Sequence, residues 1–254
     1  MRQAEHVTTI TWLGHSTVLI EVAGTRVLTD PVLRKRVAHL VRQVELPALP
    51  DRLDAVLLSH LHHDHADLPT LRRLPGTFEV FGPPGTARLV PGAHELEPGD
   101  EVGLGRARLS ATQADHDARR MPWSPADGLG FVLDRVYFAG DTDLFDGMAE
   151  IGERGLDVAL LPIWGWGPRL PPGHLDPERA AEATRLLSPR VVIPIHWGTY
   201  LRAAMRRGDL EAPAREFAAA VARTAPASEV VVLRPGEAFR ESPTRDDAAA
   251  GPGT

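Results

Sequence analysis

Residues 59 to 65 read Ser-His-Leu-His-His-Asp-His, and this run constrains the chain more than any other stretch. Four of the eleven histidines fall within six positions, with an aspartate among them. The segment Asp54-Ala55-Val56-Leu57-Leu58 leads into it and reads as a buried strand. A strand ending in imidazoles and a carboxylate predicts a metal loop. Neutral imidazole suits zinc, iron and other borderline cations, and the carboxylate extends the range towards manganese. His60 and His62 are two apart, so in an extended chain both project to one side and can grip one ion. Asp64 and His65 follow once the chain has begun to turn, and are placed to face a second ion. The competing reading is a solvated, histidine-rich loop, which the buried strand directly in front of the run disfavours.

At 254 residues the chain is long enough for a sizeable core. Its charge balance, 28 basic against 34 acidic side chains, gives no general field for nucleic acid, though a local basic patch stays open. There is no cysteine, which removes disulfides, thiolate metal ligands and a cysteine nucleophile. Residues 1 to 6 are polar and lack the apolar core of a signal peptide. No apolar run approaches the roughly 20 residues of a membrane span. These features predict a cytoplasmic protein without a transmembrane segment and with no nucleic-acid partner. A homo-oligomer stays open.

Taken in order, Val7 to Leu13, Thr17 to Val22 and Arg26 to Asp30 read as strands of an antiparallel sheet, with turns at Gly14-His15-Ser16 and Ala23-Gly24-Thr25. Residues 31 to 51 read as a loop with at most one helical turn, carrying the basic triplet Arg34-Lys35-Arg36. After the histidine run the pattern changes to strand and helix in alternation. Leu68 to Leu74 suits a helix, Phe78 to Phe81 a strand, and Gly85 to Val90 a second helix. Strands follow at Ala107 to Thr112, Gly130 to Leu133, Val136 to Ala139, Leu156 to Pro162, Val191 to Ile195 and Glu229 to Leu233. Asp176-Pro177-Glu178 opens one helix by cap and proline, and Ala212 to Thr224 forms another. One domain over residues 1–240 is expected, with a disordered tail over 241–254 rich in Ala, Gly and Pro.

The run His60-Leu61-His62-His63-Asp64-His65 resembles the signature of the metallo-β-lactamase superfamily. The text Thr11-Trp12-Leu13-Gly14-His15-Ser16-Thr17, then Leu28-Thr29-Asp30-Pro31, resembles the branch holding N-acyl-phosphatidylethanolamine phospholipase D and the sugar-acid-phosphate lactonases. The resemblance implies an α/β fold, a four-layer αββα sandwich of two mixed sheets packed face to face with helices outside. It places a third histidine at a strand end, matched by His116, and a bridging carboxylate in a Gly-Asp-Thr, matched by Asp141. The last ligand lies in Pro-Ile-His-Trp-Gly-Thr, matched by His196. The implied metal set is His60, His62 and His116 for one ion, Asp64, His65 and His196 for the other, and Asp141 for both. His174, before Asp-Pro-Glu, matches a histidine of the phospholipase D branch on the substrate side. That branch has tryptophan after the third histidine and Tyr-Glu-Pro-Arg ahead of His174, where this chain has Asp117 and Trp166-Gly167-Pro168-Arg169. Lack of cysteine argues against the zinc β-lactamases that use a thiolate.

Several residues keep two readings. Asp30 is an acceptor behind a ligand imidazole or a turn carboxylate before proline. His15 lines the site or sits in its turn, and Asp141 or Asp143 could cap the following helix. Trp164, Trp166 and Trp197 form an apolar wall beside the metals or pack under loops. The resemblance implies a hydrolase with two divalent ions, foremost Zn2+, with Mn2+ or Fe as alternatives, sharing a hydroxide. Asp64 would orient that hydroxide and His174 would stabilise a leaving group, both as catalytic residues. The favoured bond is a phosphodiester or lactone. A nuclease of the same superfamily, or a metal-binding sensor module without turnover, are the alternatives.

Overall fold

Apolar residues alternating with a period of two set the first layer. The computed structural model describes residues 7–118, 128–167, 170–203, 205 and 208–241. It opens with three antiparallel strands, β1 (Thr8–Gly14), β2 (Thr17–Val22) and β3 (Thr25–Thr29). Val18, Ile20 and Val27 enter the core between two sheets, while Leu19 and Leu28 enter a second core on the opposite face. A two-strand hairpin follows, β4 (Arg36–Val37) and β5 (Leu40–Arg42). The chain then runs β6 (Ala55–Leu57), α1 (Leu68–Leu71), β7 (Glu79–Gly82), α2 (Thr86–Leu89) and β8 (His94–Glu95), the strands adding in parallel beyond β3.

The second half repeats this plan. Strands β9 (Glu101–Leu104), β10 (Ala107–Ala114), β11 (Gly128–Leu133) and β12 (Val136–Phe138) are antiparallel neighbours. After α3 (Met148–Gly152), strand β13 (Val158–Pro162) adds in parallel, and α4 (Pro177–Leu187) leads to β14 (Val191–Ile195), parallel again. Strand β15 (Tyr200–Arg202) pairs with β5, and α5 (Ala212–Thr224) leads to β16 (Glu229–Val230) on the edge of the second sheet. The last strand, β17 (Ala238–Glu241), returns to the first sheet beside β1. Each large sheet thus has seven strands among the described residues, three antiparallel pairings followed by three parallel ones.

Ile10, Trp12 and Leu57 of the first sheet share one buried cluster with Leu109, Phe131, Leu160 and Ile193 of the second. The outer face of the first sheet packs Val56 and Leu58 in one cluster with Leu71 of α1. The outer face of the second is covered by α4 and α5 through Ala180, Ala183, Phe217 and Val221. The layers are helix, sheet, sheet, helix, the expected sandwich. Among the described residues no helix is long and apolar enough to cross a membrane.

Helix α4 begins as its sequence predicts: the Asp176 carboxylate accepts from the Arg179 N–H at 2.9 Å and Pro177 takes the first turn. Replacing Asp176 by alanine is expected to lower stability by about 1 kcal/mol, read from the urea midpoint, and to leave metal content unchanged.

Some elements differ from the expectation. Residues 31–51 carry a hairpin, with Arg36 opposite Val41, Val37 opposite Leu40, and Ala38 at φ 47° in the turn. Alanine and histidine give no glycine or asparagine signal for such a turn. Strands β8 and β9 were not anticipated, and β16 covers only two residues of the run expected over Glu229 to Leu233. Asp143 caps nothing, because α3 starts after Gly147; its carboxylate is held instead by Arg179. Strand β17 runs to Glu241, where the tail was expected to begin, and Arg190 grips that glutamate. Residues 242–254 lie outside the described residues.

Candidate metal centre

The chemistry-bearing residues follow strand ends that open on one edge of the sandwich. His15 follows β1, Asp30 follows β3, and the run from His60 follows β6. From the other sheet, His116 follows β10, Asp141 follows β12 and His196 follows β14. The sheets are tied at this edge by backbone bonds, Leu129 N–H to Ser59 O at 2.8 Å and His196 N–H to His15 O at 3.0 Å. Gly140, just before Asp141, sits where they approach most tightly. At its φ of 63° a Cβ would lie 2.5 Å from the Ser59 Cβ and 2.9 Å from the Leu129 carbonyl. Only glycine fits there without movement.

The hydrogen bonds fix which ring nitrogen each histidine presents. His65 Nδ1–H donates to Asp30 Oδ2 at 2.7 Å, His116 Nδ1–H to Gly173 O at 2.9 Å, and His196 Nδ1–H to Trp164 O at 2.7 Å. Ser59 Oγ–H donates to Asp30 Oδ2 at 2.6 Å, so at 3.0 Å its oxygen accepts from His60 Nδ1–H. In the neutral form each of the four rings is therefore left with a lone pair on Nε2. His62 turns the other nitrogen inwards: its Nδ1 lies 2.9 Å from His60 Nε2 and 3.3 Å from His116 Nε2. Metal–nitrogen bonds of about 2.0–2.1 Å in a tetrahedron give nitrogen–nitrogen edges of about 3.3 Å. The His62–His116 edge has that length, and the His62–His60 edge is slightly shorter.

Beside it lies a second group, His15, Asp64, His65 and His196, whose ligand atoms fall within 4.8 Å of one another. Asp141 stands between the two. Its Oδ2 is 3.1 Å from His65 Nε2 and its Oδ1 is 3.3 Å from His196 Nε2, while it also groups with His116 and His174. His174 Nε2 is 3.4 Å from Asp141 Oδ2, with Nδ1–H directed at the Pro171 carbonyl at 3.2 Å.

Electrostatics prepare these groups for a cation. Burial holds His60 and His116 below the ordinary histidine range and takes His196 down to about 3, so these rings are neutral near pH 7. Burial alone would raise Asp141, but the His196 and His65 imidazoles and the His174 contact outweigh it and hold the carboxyl well below its usual range. Asp64 is likewise lowered, burial being outweighed by His15 and His65. His65 is raised against its burial by the Asp141 and Asp30 carboxylates, and His174 by Asp141.

The donor set fits a metal. His65 Nε2, His196 Nε2 and Asp141 Oδ1 are buried and have no hydrogen-bond partner among the described residues. Buried polar atoms are normally satisfied, so three orphans gathered in one place fit the donor set of a cation site. All seven residues expected as ligands, and His174, come together at this edge. Asp30 takes the acceptor role behind His65. His15, left open by the sequence, is in the cluster. The tryptophans divide: Trp197 stacks on Trp12 at 5.1 Å and donates to Pro194 O, so it packs. Trp166 reaches the site, its Nε1–H donating to Asp64 Oδ2 at 2.9 Å. That contact spans 102 residues of sequence and had no local signal.

Comparison with known proteins gives the family. Residues 25–197 match the family described as Beta-lactamase superfamily domain. A UPF0173 metal-dependent hydrolase of Opitutus terrae is 34% identical over 242 residues, covering 90% of this chain and 97% of that protein. The N-acyl-phosphatidylethanolamine-hydrolyzing phospholipase D 1 of Caenorhabditis elegans is 30% identical over 228 residues, covering 75% of this chain and 64% of the worm protein. Among solved structures, Igni18, a metallo hydrolase from the archaeon Ignicoccus hospitalis, gives a TM-score of 0.73 at 27% identity, covering 94% of this chain and 100% of that chain.

Proposed function

The chain belongs to the beta-lactamase superfamily and is a metal-dependent hydrolase, and on that premise we propose that it works with two ions on a phosphodiester or lactone ester of a small or lipid-like molecule. His60, His62 and His116 hold one ion, Asp64, His65 and His196 hold the other, and Asp141 serves both. Five imidazoles and two carboxylates suit zinc first, with manganese or iron compatible. The observation that carries the reading is the pinned tautomers: four rings fixed through Nδ1 so that Nε2 faces two adjacent clusters joined by Asp141.

When bound, the ions supply a hydroxide at neutral pH, lowering the pKa of water to about 7, and polarise the oxygen of the scissile group. The side chains supply orientation and proton movement. Asp64 keeps one oxygen against Trp166; the other would face the second ion and, beside it, orient the attacking water. His174 leans towards its cation through Asp141 and can give its Nε2 proton to the departing oxygen or hold a substrate anion. No serine nucleophile is required. A cavity of about 580 Å³, lined in part by Trp164, Leu170, Leu201 and Met205, adjoins the loop whose carbonyl holds His196 and offers apolar wall to a substrate chain or ring. The worm relative's name, with its phospholipid substrate, supports the phosphodiester of the two candidate bonds.

The test is metal content together with hydrolysis of an activated phosphodiester and a simple lactone. The expected result is two equivalents of metal and a turnover that chelation removes and added metal restores. Turnover indifferent to chelation, or full activity with a single equivalent, would sink the reading.

A further inference from the structure

Asp64 is approached from two directions, and the two side chains meet on the same oxygen. Trp166 Nε1–H donates to Oδ2 at 2.9 Å, and His15 Nε2 lies 3.4 Å from that oxygen. Indole has one polar hydrogen, and here it is spent on Asp64. The two side chains come from different sheets, His15 after β1 and Trp166 after β13, so neither position follows from the local run that contains Asp64.

Both side chains are themselves fixed. His15 has φ 56°, a left-handed conformation uncommon for a residue with a Cβ. Its N–H donates to Thr199 Oγ1 at 2.8 Å, and its carbonyl accepts from Trp12 Nε1 at 2.8 Å and His196 N–H at 3.0 Å. Its ring lies 4.0 Å from that of His196. Such strain persists where surroundings over-determine a conformation, as they do here. Trp166 packs on the small core of Val32, Val37, Leu40 and Tyr200, with the Arg202 guanidinium 5.6 Å above its ring.

We propose that His15 and Trp166 are positioning residues that clamp Oδ2 of Asp64, so that this carboxylate offers a single oxygen, Oδ1, to the second metal position. The inference rests on the two-metal reading above and adds what holds its least constrained ligand. A carboxylate free to rotate can bind through either oxygen or both; one with an oxygen held by the indole N–H and approached by an imidazole is restricted to the other. Partners of this kind typically change metal affinity by about 10–100-fold when removed.

The experiment measures stepwise metal affinity by chelator competition, with Co2+ absorption as a report of coordination geometry, for the full chain and for Trp166→Phe, His15→Asn and His15→Gln. Asparagine tolerates the left-handed backbone, and urea midpoints of the metal-free proteins show that each variant folds. The expected result is a first ion bound as in the wild type and a second weakened about 10–100-fold in both Trp166→Phe and His15→Asn, with a changed Co2+ spectrum and partial recovery in His15→Gln. Wild-type affinity for both ions in the variants overturns the clamp and leaves the two-metal reading standing. A loss confined to the His15 variants also overturns it, and makes His15 a ligand in its own right. A wild-type chain that binds only one ion removes both.

Discussion

Replacing Asp141 by alanine is expected to abolish hydrolysis, with a loss of at least about a thousandfold in kcat/KM. Two ions stabilise charge in the transition state by several kcal/mol, and each 1.4 kcal/mol is about tenfold in rate. Asp141 is the side chain within reach of both clusters, touching His65 and His196 on one side and His116 and His174 on the other. Its removal also withdraws the buried negative charge that steadies those imidazoles. The metal-free variant should remain folded, because the core residues that precede it, Phe138 and Ala139, are unchanged. Steady-state kinetics and metal analysis on the same sample check this. A variant keeping more than a tenth of the wild-type rate, with two ions bound, would show that Asp141 is not shared between them.

What the sequence revealed of this site depended on how local each ligand is. His60, His62, Asp64 and His65 lie within six positions behind a buried strand, so spacing alone pointed to a metal loop. His116, Asp141 and His196 are scattered over 81 residues and were visible only through motifs resembling a known family. Residues that work by reaching across the fold left no local trace. Trp166 looked the same in sequence as Trp164 and Trp197, yet one donates to Asp64, one offers its carbonyl to His196 and one stacks on Trp12. His15 stood in an ordinary turn pattern until β1 and β14 were seen to end side by side. Strands β4 and β5 were hidden because the turn between them, at Ala38 and His39, has no glycine or asparagine cue, and β17 because its partner β1 is distant in sequence.

Asp30 offers the sharpest separation of folding from metal binding. It is fully buried and accepts three hydrogen bonds, from Ser59 N–H at 2.7 Å, Ser59 Oγ–H at 2.6 Å and His65 Nδ1–H at 2.7 Å. Asp30→Ala strands those donors and breaks a buried pair, which costs about 3–5 kcal/mol; the urea midpoint should fall accordingly. Asp30→Asn is the more telling change. Its amide oxygen can still accept from Ser59 N–H, but an NH2 replaces Oδ2, where two protons now arrive. To avoid donor facing donor, Ser59 Oγ and His65 Nδ1 must become acceptors, and the His65 proton moves to Nε2. That is the atom facing Asp141 and the second cluster. The asparagine variant is therefore expected to lose less stability than the alanine variant, yet to bind the second ion about 10–100-fold more weakly. Chelator competition on folded Asp30→Asn decides the matter: wild-type affinity for both ions would mean that the tautomer of His65 is not set by Asp30.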